Sequence, residues 1–377
     1  MLCLMIALVS ACFIACGNDD DDSFGGSGNT EVPGGTVSPE RTFNVEKAGT
    51  LPDKISEVDM YKIKSLKLSG VLNGTDILFL RKMMGVSEKG AATGGQLEYL
   101  DISDTKIVEG GDGYYISGGG FSYHTSYDKI GMYMFLGVRA LKTILLPNGV
   151  TSIGGDVFSG CTSLTTINIP DGVTSIGASA FSGCTSLTTI SIPDGVTSIG
   201  ASAFSGCTSL TTMSIPDGVT LIGASTFSGC TSLTTISIPD GVTWIGASAF
   251  SDCTSLTIIS IPDGVTSIGD DVFNGCTSLT TISIPDGVTS IGDYAFNGCT
   301  SLTTISIPGS VTWIGKAAFR YSGIGAIYFT SHTPPTIHWE NRNLYITYIY
   351  VPKGCKSNYE NIFLSYGEII EYDPNNK

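Results

Sequence analysis

The hydrophobic pattern of this chain repeats every 23 residues over about half of its length. One copy, CTSLTTISIPDGVTSIGASAFSG, spans residues 184–206. Its I-x-I alternation predicts a short strand with both isoleucines on one face. Pro193-Asp194-Gly195 predicts a turn with a left-handed glycine, V-T-S-I a second short strand, and A-S-A-F one helical or 3₁₀ turn. The apolar positions are Cys184, Leu187, Ile190, Ile192, Val196, Ile199, Ala203 and Phe204.

The cysteines and prolines keep the same interval. Eight prolines lie 23 residues apart between positions 147 and 308. A degenerate copy with Val138 in the cysteine position precedes the series, and the register slips by about one residue near Tyr321. Because a single 23-residue coil cannot bury enough surface to fold alone, we predict a solenoid whose coils stack on one another. The repeated cysteines are Cys161, Cys184, Cys207, Cys230, Cys253, Cys276 and Cys299.

The consensus C-x-x-L-x-x-I-x-I-P-x-x-V-x-x-I-x-x-x-A-F resembles the BspA-like leucine-rich repeat family. Weaker likeness extends upstream in SLKLSGVLNGTDILFLRKM and QLEYLDISDTKIVEGG, and downstream in IYVPKGCKSNYENI. The resemblance implies a right-handed leucine-rich-repeat solenoid of short parallel strands and 3₁₀ or helical turns, with irregular N-terminal coils and a C-terminal cap. It also implies adhesion to host matrix proteins, host cells or other bacteria.

Composition and the repeat divide the chain into five predicted segments. Residues 1–16 form an apolar run of signal-peptide length, and residues 17–41, rich in Gly, Asp, Ser and Pro, predict a flexible tether. The folded part is predicted to comprise irregular leucine-rich coils at 42–137, regular repeats at 138–323 and a C-terminal cap at 324–377.

Cys16 is the predicted lipidation site. Phe13-Ile14-Ala15-Cys16 looks like a bacterial lipobox, and the four aspartates after it resemble a surface-export signal of Bacteroidota lipoproteins. Lipidation at Cys12 is an alternative that leaves apolar residues 13–15 behind the anchor. A second alternative is a secretory signal cleaved nearby without lipid. We expect an outer-membrane lipoprotein exposed at the cell surface, since more than one acyl chain gives stable anchoring.

The charge balance argues against nucleic acid as a partner. The chain has 34 acidic and 19 basic side chains and a formal net charge of −15, so it repels phosphate backbones. Membrane contact is expected through the lipid anchor only. The predicted partner is a protein or glycan macromolecule on a host or bacterial surface.

The repeated cysteines are predicted to be buried free thiols. By resemblance, this position holds a small inward-facing residue, and free cysteine is a small hydrophobe with a weak S–H donor. The alternative is a ladder of disulfides. Coils stacked about 4.8 Å apart bring the Cα atoms within range, but parallel Cα–Cβ vectors keep the Cβ atoms too far apart.

Candidate chemistry is sparse, and we predict no enzyme activity and no cofactor. His332 and His338 lie in HTPPTIH, whose spacing is not a zinc-binding helix pattern, and GGDGYYISGGG has no P-loop lysine. An aspartate recurs before glycine in the predicted turns, which turn chemistry explains. The alternative is a weak Ca²⁺-attracting column of carboxylates. It would consist of Asp171, Asp194, Asp217, Asp240, Asp263 and Asp286.

Departures from the consensus are the candidate binding residues. The position after V-T is usually serine but becomes Leu221, Trp244 and Trp313, and Ile258 interrupts a column of threonines. Leu221 and Trp244 belong to successive copies and are predicted to be surface neighbours. An exposed tryptophan beside a leucine is a suitable binding anchor. Neutral drift at an exposed position is the alternative.

A second candidate surface is GYYISGGGFSYHTSY at residues 113–127. Its mixture of Tyr, Gly and Ser is similar to that of an antibody-like binding loop. The alternative is a surface excursion packed on the opening coils. The candidate residues in this segment are Tyr114, Tyr115, Phe121 and Tyr123.

These observations favour a cell-surface adhesion protein that contacts its partner along a repetitive solenoid wall. A glycan-capturing lipoprotein, with Trp244 and Trp313 as aromatic platforms, is the first alternative. A structural component of the surface layer is another. An enzyme would require an acid–base cluster assembled from the segments that flank the repeats.

Overall fold

Parallel strands dominate the structure, a computed structural model that describes residues 41–338, 346–363 and 366–373. These residues belong to the unit Ser38–Lys377; the unit Met1–Val37 lies outside the described residues. The described chain winds into a β-solenoid of about 14 turns with little helix. The predicted repeat solenoid is therefore confirmed.

The I-x-I position of each coil forms the strands that we call the first ladder. Its central side chains point inward, and the threonines and serines on either side face solvent, as the alternation predicts. Residues 189–191 do not form a strand, although Ile190 is buried. The strands of the first ladder are Arg41–Val45, Ser65–Leu72, Tyr99–Ile107, Thr143–Leu145, Thr166–Asn168, Thr212–Ser214, Thr235–Ser237, Ile258–Ser260, Thr281–Ser283, Thr304–Ile307, Ala326–Phe329, Tyr348–Pro352 and Glu368–Tyr372.

The V-T-S-I position forms the second ladder, whose strands have two residues each. The first residue faces outward and the isoleucine after it is buried in nearly every coil. The strands of the second ladder are Lys129–Ile130, Ser152–Ile153, Ser175–Ile176, Ser198–Ile199, Leu221–Ile222, Trp244–Ile245, Ser267–Ile268, Ser290–Ile291, Trp313–Ile314 and Thr336–Ile337.

The strand register follows the sequence period. In the regular coils the paired positions are 23 residues apart, as for Leu221 with Trp244. In the first ladder the interval then falls to 22, because Thr304 pairs with Ala326. The slip predicted near Tyr321 is located between these two strands.

Irregular elements close the N-terminal side of the solenoid. Strands Gly110–Ile116 and Ser122–Thr125 form an antiparallel hairpin. Helix Gly74–Met83 begins with a capping box. The Asn73 side chain accepts a hydrogen bond from the backbone N–H of Asp76, and the Asp76 side chain accepts one from the backbone N–H of Asn73. The remaining helices are Leu51–Lys54, Glu57–Met60 and Lys356–Phe363. Within the described ranges, no helix is both long and apolar enough to span a bilayer.

A stack of phenylalanine rings runs through the core. Successive rings have centroids 5.4–5.8 Å apart and planes within 3–15° of each other. This spacing is that of offset aromatic stacking, so each coil contributes one ring to a continuous column. The column consists of Phe135, Phe158, Phe181, Phe204, Phe227, Phe250, Phe273, Phe296 and Phe319.

The glycine that needs a left-handed backbone is not the one predicted. Gly195 in the Pro-Asp-Gly turn has no positive φ; the turn closes when Val196 N–H donates to Pro193 O at 3.0 Å. Gly206, before the next cysteine, has φ 71° instead. Asp252 occupies the equivalent position in its coil with φ 58°. The prediction for Gly195 was wrong because an ordinary turn with negative φ already reverses the chain there.

Candidate functional site

The seven repeat thiols lie inside the solenoid, fully buried and without disulfide bonds. Each Sγ donates to the carbonyl oxygen of the phenylalanine 26 residues earlier, at 3.1–3.2 Å. Cys184, for example, reaches Phe158 O in the preceding coil at 3.1 Å. The cysteine column is thus a hydrogen-bonded part of the core.

Burial suppresses the chemistry of these thiols. Loss of solvation raises the pKa of Cys161, Cys230 and Cys299 to about 12, above the ordinary value of 9.0. A thiol with such a pKa stays protonated at neutral pH and is a poor nucleophile and metal ligand. The column therefore holds the coils together and offers no reactive group at the surface.

The aspartate column lies in exposed turns, one residue per coil. Across residues 41–338, 346–363 and 366–373, no group of three or more His, Cys, Asp or Glu is placed to hold a metal ion. The two histidines of the predicted loop contact groups that are not metal ligands. The His338 ring centroid lies 6.0 Å from that of Trp313, and the backbone carbonyl oxygen of His332 accepts a hydrogen bond from Asn358 Nδ2.

Leu221 and Trp244 form an exposed apolar pair. Their strands are hydrogen-bonded neighbours in parallel register, so the two side chains project from adjacent coils. Leu221 is 46% exposed and Trp244 is 47% exposed. The next coils on either side carry Ser198 and Ser267 in this position, which leaves the pair isolated on a hydroxyl-bearing wall.

The other two substituted positions lie elsewhere. Ile258 is 57% exposed but belongs to the first ladder, where it pairs with Thr281. Trp313 is on the second ladder but is half-buried between its pairing partners Ser290 and Thr336. Of the four departures from the consensus, the structure brings only Leu221 and Trp244 into strand-paired contact.

Residues 113–127 contain the hairpin turn, and one candidate there must be corrected. Tyr114 is only 1% exposed, and its hydroxyl donates to Met132 O at 2.9 Å, so it cannot contact a partner. Tyr115 and Tyr123 are partly buried, with ring centroids 5.0 Å and 4.8 Å from that of Tyr133. Phe121, near the tip, is 73% exposed.

A tyrosine cluster near the C-terminal end was missed by the sequence reasoning. The rings of Tyr328 and Tyr350 are stacked with parallel planes and centroids 4.3 Å apart, and the Tyr372 ring is nearly perpendicular to both. Tyr348 is exposed beside them. The alternation in Tyr348-Ile349-Tyr350-Val351 was a signal for this outward aromatic face, because Ile349 and Val351 point into the core.

Comparison with known families identifies the repeat. A family model described as a BspA type leucine rich repeat region, matched in six copies, covers residues 128–257 and 243–369. The chain belongs to this family. As a BspA-type repeat protein, it has the leucine-rich-repeat fold typical of bacterial surface proteins. The recognition made from the consensus is confirmed.

Several solved structures are similar to this BspA-type chain. A leucine-rich repeat protein from T. pallidum is 32% identical, with 52% of this chain and 87% of that chain covered and a TM-score of 0.43. A leucine-rich cell surface protein from Faecalibacterium prausnitzii is 26% identical, with coverage of 67% and 84% and a TM-score of 0.39. A leucine-rich repeat protein from Bacteroides ovatus is 26% identical, with coverage of 65% and 82% and a TM-score of 0.33. No curated protein gives a significant match.

Proposed function

We propose that this BspA-type protein is a cell-surface adhesion protein that binds a protein partner through the second ladder, with Leu221 and Trp244 as the anchor. The observation that carries the proposal is the strand pairing of these two half-exposed side chains. Interface energy concentrates in a few large side chains, and tryptophan is over-represented among them.

The surroundings of the pair suit such a contact. Serine and threonine hydroxyls line the neighbouring coils, and they can form a polar rim around an apolar centre. The rest of the wall repeats at a fixed interval, so a long partner can add weak contacts coil by coil. In this proposal Leu221 and Trp244 form the specific anchor, and the hydroxyl groups of the neighbouring coils match polar groups of the partner around it.

The proposed location is the outer face of the outer membrane. Cys16, the proposed lipid attachment site, and the tether at 17–41 lie outside the described residues, apart from Arg41 in the first strand. An acyl anchor followed by a polar tether would hold the solenoid beyond the lipid headgroups. Metabolic labelling with an alkyne fatty acid should label the wild-type protein and leave Cys16→Ser unlabelled if this anchor is used.

Replacement of the pair by serine tests the proposal. Leu221→Ser with Trp244→Ser restores the residue that most coils already carry, so the fold should be unchanged by circular dichroism. We expect the Kd for the best ligand among host matrix proteins and mucin, measured by surface plasmon resonance, to rise at least tenfold. That change corresponds to about 1.4 kcal/mol, which is modest for a buried tryptophan anchor.

Ser198→Ala is the matched control, because Ser198 occupies the same position one coil before Leu221. It should leave the Kd within about twofold. Equal binding by wild type and the double serine variant would exclude the pair as the anchor. Binding to glycans freed of protein, again dependent on Trp244, would instead favour the glycan-capturing function.

A further inference from the structure

A cleft lies between the opening region and the first regular coil. Its volume is about 510 Å³, within the ~300–1,000 Å³ typical of small-molecule sites. One side comes from the segment around Val86 and Thr93, and the other from the turn at residues 136–140. Tyr115 forms part of the lining between them, so apolar residues, one aromatic residue and one arginine line this space.

Arg139 is the cation on this lining. Its side chain is exposed, and within the described part of the chain it has no salt bridge to a carboxylate. An exposed guanidinium with free donors is suited to a bidentate contact with a carboxylate.

A second, buried cation lies behind the aromatic lining. Arg81 Nη1 donates to Tyr133 O and Met134 O at 3.0 Å, and Nη2 donates to Ser87 O at 3.1 Å. These partners are neutral carbonyl groups, and the carboxylate of Glu88 interacts electrostatically with Arg81 and offsets part of its charge. Burial lowers the pKa of Arg81 to about 10, which leaves the guanidinium charged at neutral pH.

Tyr115 connects the two features. Its ring centroid is 5.5 Å from Arg81 Cζ, and the ring also packs against Tyr123 and Tyr133. The contacts hold the aromatic plane in place while part of the residue remains accessible from the cleft. A fixed, partly exposed ring offers a flat apolar surface for stacking at low entropic cost.

We propose that this cleft binds an acidic sugar residue, such as a uronic or sialic acid at the end of a glycan. Arg139 pairs with the sugar carboxylate, and Tyr115 stacks on the apolar face of the sugar ring. Arg81 adds a positive field from behind the ring, which favours an anionic over a neutral sugar. This site is additional to the protein-binding pair Leu221 and Trp244 and does not depend on it.

Two glycosides that differ only in the carboxylate provide the test. Isothermal calorimetry on the folded chain should show that methyl β-D-glucuronide binds at least tenfold more tightly than methyl β-D-glucoside. A sialoside tested in parallel shows which acidic sugar is preferred. Raising the salt concentration should weaken glucuronide binding, because the ion pair at Arg139 is exposed. Equal affinity for the two glycosides, or no binding of either acidic sugar, would overturn the proposal.

Variants assign the site. Arg139→Gln should lower glucuronide affinity at least tenfold, whereas Arg41→Gln, at an exposed arginine of the first strand, should leave it within about twofold. Tyr115→Leu should weaken glucuronide and sialoside together, since it removes the stacking surface. Full affinity in Arg139→Gln contradicts the assignment even if Tyr115→Leu fails to fold. A tripeptide carboxylate that binds as tightly as the glucuronide would exclude a sugar-specific site.

Discussion

At the scale of single residues, the repeat uses cysteine because one small side chain meets two requirements. It fills a buried position, and its S–H donates to a main-chain carbonyl of the preceding coil, as Cys230 does to Phe204 O at 3.2 Å. Alanine would fill part of the volume without donating. Serine would donate but would bury a more polar group. The thiol therefore couples each coil to its neighbour.

The thiols make stability sensitive to alkaline pH. Their pKa is raised in the folded chain, to about 12 for Cys230 against 9.0 ordinarily, so the unfolded chain releases these protons first. The contribution of the protonated thiols to the free energy of unfolding is fully present below pH 9 and is lost as the pH rises toward 12. Between pH 9 and 12, each thiol lowers the free energy of unfolding by up to about 1.4 kcal/mol per pH unit. Urea titrations at pH 7, 8, 9 and 10 should show a nearly constant free energy of unfolding to pH 8 and a steep fall above pH 9.

Cys230→Ala is the control for this pH dependence. It removes one titrating thiol, so its slope above pH 9 should be shallower by up to about 1.4 kcal/mol per pH unit. Identical slopes for wild type and variant would show that the thiol does not control alkaline stability.

At the scale of elements, most regular coils combine two short strands with a left-handed glycine two residues after the phenylalanine. Gly206 adopts φ 71°, which L side chains rarely adopt, whereas Gly195 lies in a turn without positive φ. The sequence showed both glycines at equal intervals, but not which one required its conformational freedom. That distinction depends on the direction in which the chain leaves each turn, and the pattern of residue types does not encode it uniquely.

The two glycines should therefore respond differently to alanine. A Cβ at Gly206 would make only ordinary contacts, 3.6 Å to Gly183, so the cost of Gly206→Ala is backbone strain. We expect a loss of about 1–2 kcal/mol in the free energy of unfolding, measured by urea denaturation. Gly195→Ala, with its nearest contact 3.4 Å from Asp171 O, should be neutral or stabilise by up to about 1 kcal/mol. The reverse order of stability would contradict the turn assignments.

At the scale of the whole molecule, local repetition determined how much could be predicted. The coil register and the contact of Leu221 with Trp244 followed from the constant 23-residue interval. The burial of Tyr114 did not follow from this interval, because it depends on how the hairpin packs against Met132. The cleft that joins Tyr115 and Arg139 could not be predicted from the sequence either, since one of its sides comes from the irregular opening region and the two sides meet only in the folded chain.

The proposed binding anchor depends on in-register stacking, which brings two residues of successive coils together. Inserting a copy of residues 184–206 immediately before Cys230 would separate these two residues. The inserted coil places a copy of Ser198 between Leu221 and Trp244. It therefore about doubles the distance between these two residues, from about 4.8 Å to about 10 Å. The control is the same insertion before Cys253, which leaves the two residues adjacent.

The measurement is the Kd of both insertion variants for the partner of the wild-type protein. Both variants should fold, because each adds one complete coil to the stack. We predict at least a tenfold rise in Kd for the insertion before Cys230 and a Kd within about twofold of wild type for the insertion before Cys253. Equal affinity of the two folded variants would show that binding does not require Leu221 and Trp244 to lie in successive coils.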